Sequence, residues 1–296
     1  MASQAAAIGP AGRPVHRPRT NKRRLAATAM FSLLLIAGSV VFVLPFLWMI
    51  STSLKKPDQV FVMPPQWLPS PFVWSNYKIA IEVMQFPILL KNTVLVTTAS
   101  MFGAILTSSM AAFSFARLRF PYRDLIFVVV LATMMLPYSV TMIPVYIIFR
   151  NLHMVNTLWP LIIPSYFGGG AFNIFLLRQF FMTLPFELDD AARIDGCSNL
   201  RLYWNILLPL TKPALGAIAV FQFVGHWNDF FGPLIYLQSS NKFTLAVGLY
   251  RFRGPYTVEW NYLMAATIMV AIAPIVIFFL AQRYFIEGVV MSGMKG

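Results

Sequence analysis

Acidic side chains are rare in this chain, and their positions give the first clue to its chemistry. The sequence of 296 residues contains ten Asp and Glu. Four of the ten fall within nine positions: Glu187, Asp189, Asp190 and Asp195. Carboxylates near the start of a helix complement its dipole, and they also offer charge to a basic partner. The cluster is therefore either an ordinary surface helix or a contact site for another molecule.

The other reactive side chains form no recognisable catalytic, metal or nucleotide site. His16, His153 and His226 are far apart in sequence, and the single cysteine, Cys197, excludes an intrachain disulfide. The chain has neither a G-x-x-x-x-G-K-[ST] phosphate loop nor a G-x-S-x-G nucleophile elbow. We therefore expect a chain that is not an enzyme and binds no cofactor of its own.

The composition is that of a membrane protein. Hydrophobic residues make up 58% of the chain and charged residues 11%, unlike a soluble domain. A transmembrane helix needs about 20 apolar residues with few charges. Six runs meet this requirement: 25–50, 88–115, 125–149, 158–181, 212–237 and 261–284. Because lipid offers the backbone no hydrogen-bond partner, the runs predict an all-α, polytopic membrane protein with six transmembrane helices.

The basic residues are distributed as membrane topology requires, rather than as a nucleic-acid-binding protein would need. The formal net charge is +13, and 15 of the 23 Lys and Arg fall in the alternate segments that include both termini, against 8 in the others. The positive-inside rule then places both termini in the cytoplasm. The first apolar run follows a basic stretch but is about 26 residues long, too long for a signal peptide, and lacks a cleavage site. We predict an uncleaved first span.

The acidic cluster lies in a segment with the signals of a short helix. We predict that Thr183 is its N-cap, that Pro185 lies in the first turn, and that Gly196 ends it in the left-handed conformation. Asp189 and Arg193 are spaced for an ion pair. One apolar face is formed by residues three and four apart: Leu184, Leu188, Ala191 and Ile194.

A second short helix is predicted directly after this turn. It opens at Ser198 and ends before Pro209. An Asp near the centre of a span costs about 2.5–3.5 kcal/mol, so four acids and two arginines keep the whole segment out of the hydrocarbon. We expect a helix–turn–helix on the cytoplasmic face.

Two of the predicted spans contain residues that interrupt helices. The third holds Pro137 and Pro144, and the fourth holds Gly168 and Gly169 within a glycine triplet. Such breaks persist in lipid where protein or a water-filled cavity satisfies the freed backbone groups. We expect both spans to bend and to line a translocation path; the alternative is that Pro and Gly are simply commoner in membrane helices.

The polar sequence "GHWNDFF" lies near the outer end of the fifth predicted span. Ionisable groups inside spans usually face the bundle interior and mark function. His226, Trp227, Asn228 and Asp229 are therefore candidates for the path or its gate. The alternatives are a polar cluster that braces the helices, or residues already at the outer interface.

The acidic segment also carries a specific motif. "DDAARIDGCSNLRLYWNILLPLTKP" resembles the EAA loop of the membrane subunits of ABC importers, which runs Glu-Ala-Ala, three residues, Gly, about nine residues, then an apolar residue, one residue and Leu-Pro. The matching positions are Asp190, Ala191, Ala192, Gly196, Ile206, Leu208 and Pro209. Asp190 stands where the family has Glu, and Cys197 where it usually has Ala. "FGGGAFNIFLLRQFF", "WNDFFGPL" and the ending "SGMKG" extend the resemblance, which is to carbohydrate-uptake permeases of the maltose-transporter type, in particular their six-span partner.

The resemblance implies a type I ABC importer permease fold in the bacterial inner membrane, with the loop acting as a coupling helix that docks on an ATP-hydrolysing subunit. The implied ATPase-coupling residues are Glu187, Asp190, Ala191, Ala192, Asp195, Gly196, Leu208 and Pro209. The implied contacts of the C-terminal tail with the ATPase are Gly293, Lys295 and Gly296. The implied partners are a second homologous permease, two ATP-binding subunits that use the ATP, and an extracytoplasmic solute-binding protein.

On this interpretation the chain has four parts. They are a cytoplasmic tail (1–24), the first span with an outer loop (25–87), a five-span permease core (88–284) with its coupling loop (182–211), and a cytoplasmic C-terminal tail (285–296).

We therefore expect a permease subunit of an ATP-driven importer for a sugar. Import of glycerol-3-phosphate or a polyol is the alternative within the family, because those permeases share the motifs; a phosphate would favour Arg or Lys in the path, and spans three to six are nearly free of both. An ion-coupled secondary transporter would need inverted repeats and paired buried carboxylates, and a membrane enzyme would need a clustered His or carboxylate site. The sequence shows neither pattern.

Overall fold

The computed structural model describes residues 22–254 and 257–293, with side chains for 27–254 and 257–282. Apart from an isolated bridge between Arg253 and Val258, the regular structure of these residues is helical, which confirms the all-α prediction. The helices, in chain order, are α1 (Lys22–Ser53), α2 (Ser75–Met84), α3 (Phe86–Arg117), α4 (Arg123–Ala132), α5 (Tyr138–Asn151), α6 (Trp159–Ile162), α7 (Ala171–Thr183), α8 (Glu187–Ile194), α9 (Asn199–Arg201), α10 (Leu208–Leu210), α11 (Lys212–Trp227), α12 (Phe231–Tyr236), α13 (Leu245–Gly248) and α14 (Trp260–Gly293).

Several of these helices are long and apolar enough to cross a membrane. Four stretches meet that test alone: Ala27–Ser53, Phe86–Arg117, Trp159–Thr183 and Trp260–Gln282. Two bent pairs meet it only together: Arg123–Met135 with Tyr138–Asn151, and Asn199–Leu210 with Lys212–Trp227. Within the described residues the protein is therefore polytopic, with four candidate spans, or up to six if each bent pair crosses once.

The chain divides into two units, residues 1–50 and 51–296. The first contains most of α1, whose apolar side chains, such as Phe42 and Leu35, are largely exposed, as a lipid-facing surface would be. The second contains the remaining helices. All contacts described below lie within the second unit.

Helix α3 is central to the second unit, where it packs against both α7 and α11. Toward its C-terminal end, Phe113 and Ala116 of α3 join Leu177 and Phe181 of α7 in one buried apolar cluster. A separate buried cluster toward its N-terminal end includes Leu89. Small residues on α3 let neighbouring backbones approach closely, the usual way in which membrane helices pack.

The third predicted span is sharply bent, as expected. Residues Arg123–Met135 and Tyr138–Asn151 meet at 100°. Pro137 occupies the N-cap position of α5 in extended conformation, and Pro144 lies inside that helix. A proline has no N–H to continue a helix and restricts the residue before it, so the chain changes direction there.

The fifth and sixth predicted spans have different bounds in the structure. The run 212–237 is not one helix: α11 ends at Trp227 and α12 begins at Phe231, so the polar residues lie at a helix break. Helix α14, which contains the sixth predicted span, continues to Gly293, past the expected end of that span at 284. Apolar runs alone do not locate helix ends, because the polar groups that close or extend a helix contribute little to hydropathy.

The outer loop between the first two predicted spans, residues 51–87, is folded. It contains a 3₁₀ turn (Pro57–Gln59) and α2. The side chain of Asn76 is buried and donates to the carbonyls of Ser53 and Lys55, both at 2.9 Å. Asn261 of α14 donates in turn to the Asn76 side chain at 3.3 Å. These buried hydrogen bonds join the loop to α2 and to the last helix.

The glycine triplet forms a tight turn between a 3₁₀ segment (Ile163–Tyr166) and α7. Gly169 has φ +62°, and a Cβ there would overlap the Ala104 carbonyl of α3. Only glycine combines the left-handed backbone with so close an approach. The triplet therefore positions the fourth predicted span against α3.

We predict that Gly169→Ala lowers the free energy of unfolding by about 1–3 kcal/mol or more, because the added Cβ strains the backbone and clashes with α3. Thermal unfolding of the purified chain in detergent measures the loss. The matched control is Gly225→Ala in α11, where a Cβ would have nothing within 4 Å. Equal melting temperatures for the two variants would contradict this account of the turn.

Candidate coupling site

The hairpin (residues 187–210, from α8 to α10) begins later than the sequence suggested. Helix α7 extends to Thr183, whose hydroxyl donates back to the Phe180 carbonyl at 2.7 Å. The prediction that Thr183 caps the acidic helix is therefore wrong, and Phe186 occupies the N-cap position of α8. A Thr hydroxyl satisfied within its own helix cannot cap the next one. The first turn of α8 does carry three acids, as expected: Glu187, Asp189 and Asp190.

The turn of the hairpin is the one predicted. Gly196 has φ +75°, and its N–H donates to the Arg193 carbonyl at 3.0 Å. The N–H of Cys197 donates to Ala192 at 2.8 Å, which completes the C-terminal closure of α8. A Cβ at Gly196 would meet nothing within 4 Å, so the backbone angle alone is what favours glycine here.

The second arm opens as predicted but ends differently. The Ser198 hydroxyl accepts from the Arg201 N–H at 3.3 Å, which confirms it as the cap. The arm then continues through a π-helical segment (Leu202–Leu207) into α10, so the expected end before Pro209 is wrong. Pro209 is the second residue of α10, so the helical arm runs one residue beyond it to Leu210. Tyr203 anchors this arm, because its hydroxyl lies 2.7 Å from that of Ser109 on α3.

Helix α8 has one buried and one exposed face. Asp189 and Ala192 are buried, and Ala192 packs in the same apolar cluster as α3 and α7. The side chains exposed on the opposite surface are Glu187, Asp190, Ala191 and Ile194, which we name the docking face. The predicted apolar face is not buried as a whole: Leu184 and Leu188 are half-buried, whereas Ala191 is exposed and Ile194 is 87% exposed. Asp195 and Gly196 are also exposed, at the tip of the hairpin, and Leu208 is half-buried beside exposed Pro209.

The buried face is held by Arg117, the last residue of α3. Its Nη1 donates to Asp189 Oδ2 at 3.2 Å, and its Nη2 donates to the carbonyls of Phe181 and Leu184 at 2.7 and 2.8 Å. Its guanidinium also lies 4.3 Å from the centre of the Phe186 ring. Asp189 therefore pairs with Arg117, and the predicted pair with Arg193 is wrong.

One side chain thus connects three consecutive elements. The Phe181 carbonyl lies at the end of α7, where it also accepts from the Leu184 N–H at 3.3 Å, and the Leu184 carbonyl lies in the linker between α7 and α8 (residues 184–186). The carboxylate of Asp189 belongs to the first turn of α8. A guanidinium presents several donors in a fixed plane, so Arg117 sets both where α7 stops and where α8 starts.

The ion pair is almost completely removed from solvent, with side-chain exposures of 0% and 3% for Arg117 and Asp189. Burial raises the pKa of Asp189 above its ordinary value, and the Arg117 charge opposes that shift. Among the described residues, Asp189 Oδ1 and Arg117 Nε have no hydrogen-bond partner. A buried pair of this kind adds little net stability, but removal of either member leaves an uncompensated charge.

Sequence reasoning missed Arg117 and did not include Asp189 among the site residues. The two positions are 72 apart in the chain, and no local spacing rule connects them. The available signal was weak: Arg117 ends a long apolar run where a charge was expected at the membrane surface, and Asp189 lies among other acids.

The candidate path residues lie apart from the hairpin, and the structure gives several of them packing roles. Trp227 is buried, and its indole N–H donates to the Val270 carbonyl at 3.1 Å. Asn228 is exposed and donates back to Val224 at 3.0 Å. Asp229 accepts from the Gly232 N–H at 3.1 Å, in the first turn of the short helix α12, whose N-cap position is occupied by Phe230. This group closes α11 and opens α12.

The other candidate path residues lie on different elements of the structure. Pro137 and Pro144 lie on α5, whereas Gly168 and Gly169 lie in the turn before α7. A cavity of about 660 Å³ is lined by side chains that include Leu95, Ile162 and Tyr166, and the lining contains no predicted path residue.

The remaining candidate residues are those of the chain termini and any possible metal ligands. Gly293 is the last residue of α14, whereas Lys295 and Gly296 lie outside the described residues, as do 1–21 of the N-terminal tail. Within the described ranges, no three His, Cys, Asp or Glu side chains are grouped so as to hold a metal ion.

Comparison with known proteins identifies the family. Residues 103–290 match the model of the binding-protein-dependent transport system inner membrane component. The chain is 33% identical to the sn-glycerol-3-phosphate transport system permease protein UgpE of Yersinia pestis bv. Antiqua, over 88% of this chain and 95% of that one. It is 32% identical to the arabinooligosaccharides transport system permease protein AraQ of Bacillus subtilis, over 95% and 99%.

A solved structure shows the same fold. It is a bacterial ABC transporter involved in the import of the acidic polysaccharide alginate, with a TM-score of 0.77 at 23% identity, covering 91% of this chain and all of that one. This chain therefore belongs to the binding-protein-dependent inner membrane components: it is a multi-pass permease subunit of an ABC importer and is not itself an ATPase.

Proposed function

We propose that this chain is a permease subunit for sugar import and that the hairpin is its docking site for an ATP-hydrolysing subunit. The observation that carries the proposal is the two-sided α8. Its inward face is anchored to α3 through Arg117, and its outward face presents two acids and a nearly fully exposed isoleucine, Ile194. The hairpin also exposes Leu200 and Trp204, and exposed apolar surface bordered by charged residues is a feature of interaction sites.

The docking face has a definite chemistry. Glu187 and Asp190 offer negative charge, Ala191 permits close approach, and Ile194 offers an apolar contact. Its complement is a cleft with basic residues around an apolar pocket. Asp190 keeps the charge of the glutamate usual in the motif but has a shorter reach, so its partner must approach more closely. Asp195, Gly196, Leu208 and Pro209 extend the proposed contact around the hairpin.

The wider assembly follows from the family. Permeases of binding-protein-dependent ABC importers work with ATPase subunits and a solute-binding protein. We infer two ATPase subunits, a second homologous permease and an extracytoplasmic binding protein for this chain. The excess of basic residues in alternate segments supports a cytoplasmic hairpin and cytoplasmic termini. The tail residues Gly293, Lys295 and Gly296 are proposed as further ATPase contacts.

The translocation path is proposed to follow the bent helices. The 100° break at Pro137, the proline inside α5 at Pro144 and the turn at Gly168 and Gly169 before α7 are the irregular backbone that supports this proposal. Asn228 is exposed at the α11–α12 break. The hydrogen bonds of Trp227 to the Val270 carbonyl and of Asp229 to the Gly232 N–H are proposed to hold the backbone on either side of that break.

A neutral sugar is the proposed substrate, on the basis of charge. In the last four apolar runs, the Arg and Lys residues are Arg178, Lys212 and Arg283, all near the ends expected to face the cytoplasm. Arg178 is already engaged, since it donates to the Phe115 carbonyl at 3.3 Å and lies over the Phe127 ring. A dianionic phosphate would need cationic partners along the path. Similarity to the arabinooligosaccharide permease supports a sugar as the substrate. Similarity to the glycerol-3-phosphate permease makes that solute the second candidate.

For the docking face, we predict that Asp190→Lys reduces copurification of the ATPase subunit about tenfold or more, because like charges across an interface cost several kcal/mol. The subunit itself should still insert in the membrane. The control is Asp124→Lys, a charge reversal at a 73% exposed acid that pairs with Arg123 outside the hairpin. Full ATPase association by Asp190→Lys would contradict the docking role.

For the substrate, we predict that arabinotriose stimulates ATP hydrolysis by the complete transporter reconstituted with its binding protein, and that glycerol-3-phosphate does not. Hydrolysis is measured with each solute at equal concentration, and with binding protein alone as the baseline. Stimulation by glycerol-3-phosphate alone would overturn the sugar assignment but would leave the docking role untouched.

A further inference from the structure

The hairpin joins the transmembrane core through very few polar contacts, and one of them is charged. Among the described residues, Arg117–Asp189 is the ion pair between the hairpin and α3. We propose that Arg117 is a positioning residue through which movement of the hairpin reaches the transmembrane core. This inference rests on the docking role proposed above, and it adds the route by which docking acts on the membrane helices.

Arg117 is placed where such a route must begin. It is the last residue of α3, the central helix of the second unit, which packs against α7 and α11. Its side chain holds the end of α7, the linker and the first turn of α8 at the same time. A displacement of α8 therefore acts on α3 and α7 together.

The Arg117–Asp189 ion pair also resists sliding of α8 past the end of α3. Separating the two side chains would leave two buried charges without partners, which costs far more than moving one apolar side chain past another. On the second arm, by contrast, the neutral pair Tyr203–Ser109 makes the hydrogen bond to α3. The charged contact thus keeps α8 and the end of α3 moving as one body, the kind of rigid element that switching transitions use.

The geometry favours a mechanical role over a purely stabilising one. The pair is incompletely satisfied, with Asp189 Oδ1 and Arg117 Nε lacking partners among the described residues. Apolar side chains of similar volume often hold such a site as well as an ion pair does. Behind the docking face, an apolar pair would hold α8 in place but would allow it to slip. This difference makes the proposal testable.

The test replaces the pair by an apolar one, Arg117→Met with Asp189→Leu, in the complete transporter reconstituted in proteoliposomes. Uptake of arabinotriose, or of glycerol-3-phosphate if that solute drives the wild-type complex, is measured together with ATP hydrolysis. We expect the double variant to assemble with the ATPase and to hydrolyse ATP, with solute moved per ATP lower by about tenfold or more.

Arg178→Met is the matched control. Arg178 also donates to a carbonyl near the end of α3 and stacks on an aromatic ring, but its partners, Phe115 and Phe127, lie outside the hairpin. The amount of solute moved per ATP by the Arg178→Met transporter should stay at the wild-type value. Asp190→Lys separates the two proposals, because it should reduce ATPase association about tenfold or more, whereas the double variant should retain it.

Two outcomes would overturn the proposal. A wild-type ratio of solute to ATP in the double variant would show that the ion pair is not the link. Loss of the double variant from the membrane, with Arg178→Met retained, would assign the pair to folding alone. Normal ATPase association by Asp190→Lys together with uncoupling by the double variant would refute the docking face and keep the role of Arg117.

Discussion

A guanidinium buried at the end of an apolar helix must find its acceptors within the protein, and Arg117 finds them in the segment that leaves the membrane core. Its side-chain exposure is 0%, and its hydrogen bonds reach the end of α7, the linker and Asp189 of α8. Backbone carbonyls at a helix end and a buried carboxylate each need a donor. One arginine donates to all three, and it holds the hairpin against α3 together with the Tyr203–Ser109 hydrogen bond and the packing of Ala192.

This anchoring determines which side of α8 is available to a partner. Because Asp189 and Ala192 turn inward, Glu187, Asp190, Ala191 and Ile194 form the opposite surface. The chain thereby joins a charged, partly apolar surface to the central helix of a permease. In a family whose transport depends on ATP hydrolysis in a separate subunit, such a connection is a physical requirement. On the proposed docking role, the acidic cluster serves two tasks: Asp189 anchors α8 inward, and Glu187 and Asp190 offer charge to a partner.

Local chemistry made much of this structure predictable from the sequence. The apolar runs indicated a helical membrane protein, and Gly196 and Ser198 marked a turn and a cap whose hydrogen bonds are made within a few residues. The errors concern contacts that spacing alone does not decide. The Thr183 hydroxyl bonds within α7 instead of capping α8, and Asp189 pairs with Arg117 of α3, 72 positions earlier, instead of with its neighbour Arg193. A pattern in one sequence does not reveal contacts between residues that are far apart in the chain. Hydropathy also missed the helix break after Trp227, where the side chains of Asn228 and Asp229 make hydrogen bonds to the backbone.

The most direct test of the account is the location of the hairpin surface. The only cysteine is Cys197, so Cys197→Ser with Ile194→Cys places a single thiol at the most exposed side chain of the docking face. A membrane-impermeant maleimide should leave this thiol unlabelled in intact cells, label it in inside-out vesicles stripped of the ATPase, and label it much less once the ATPase is restored. Labelling from the outer surface, or equal labelling with and without the ATPase, would contradict the account.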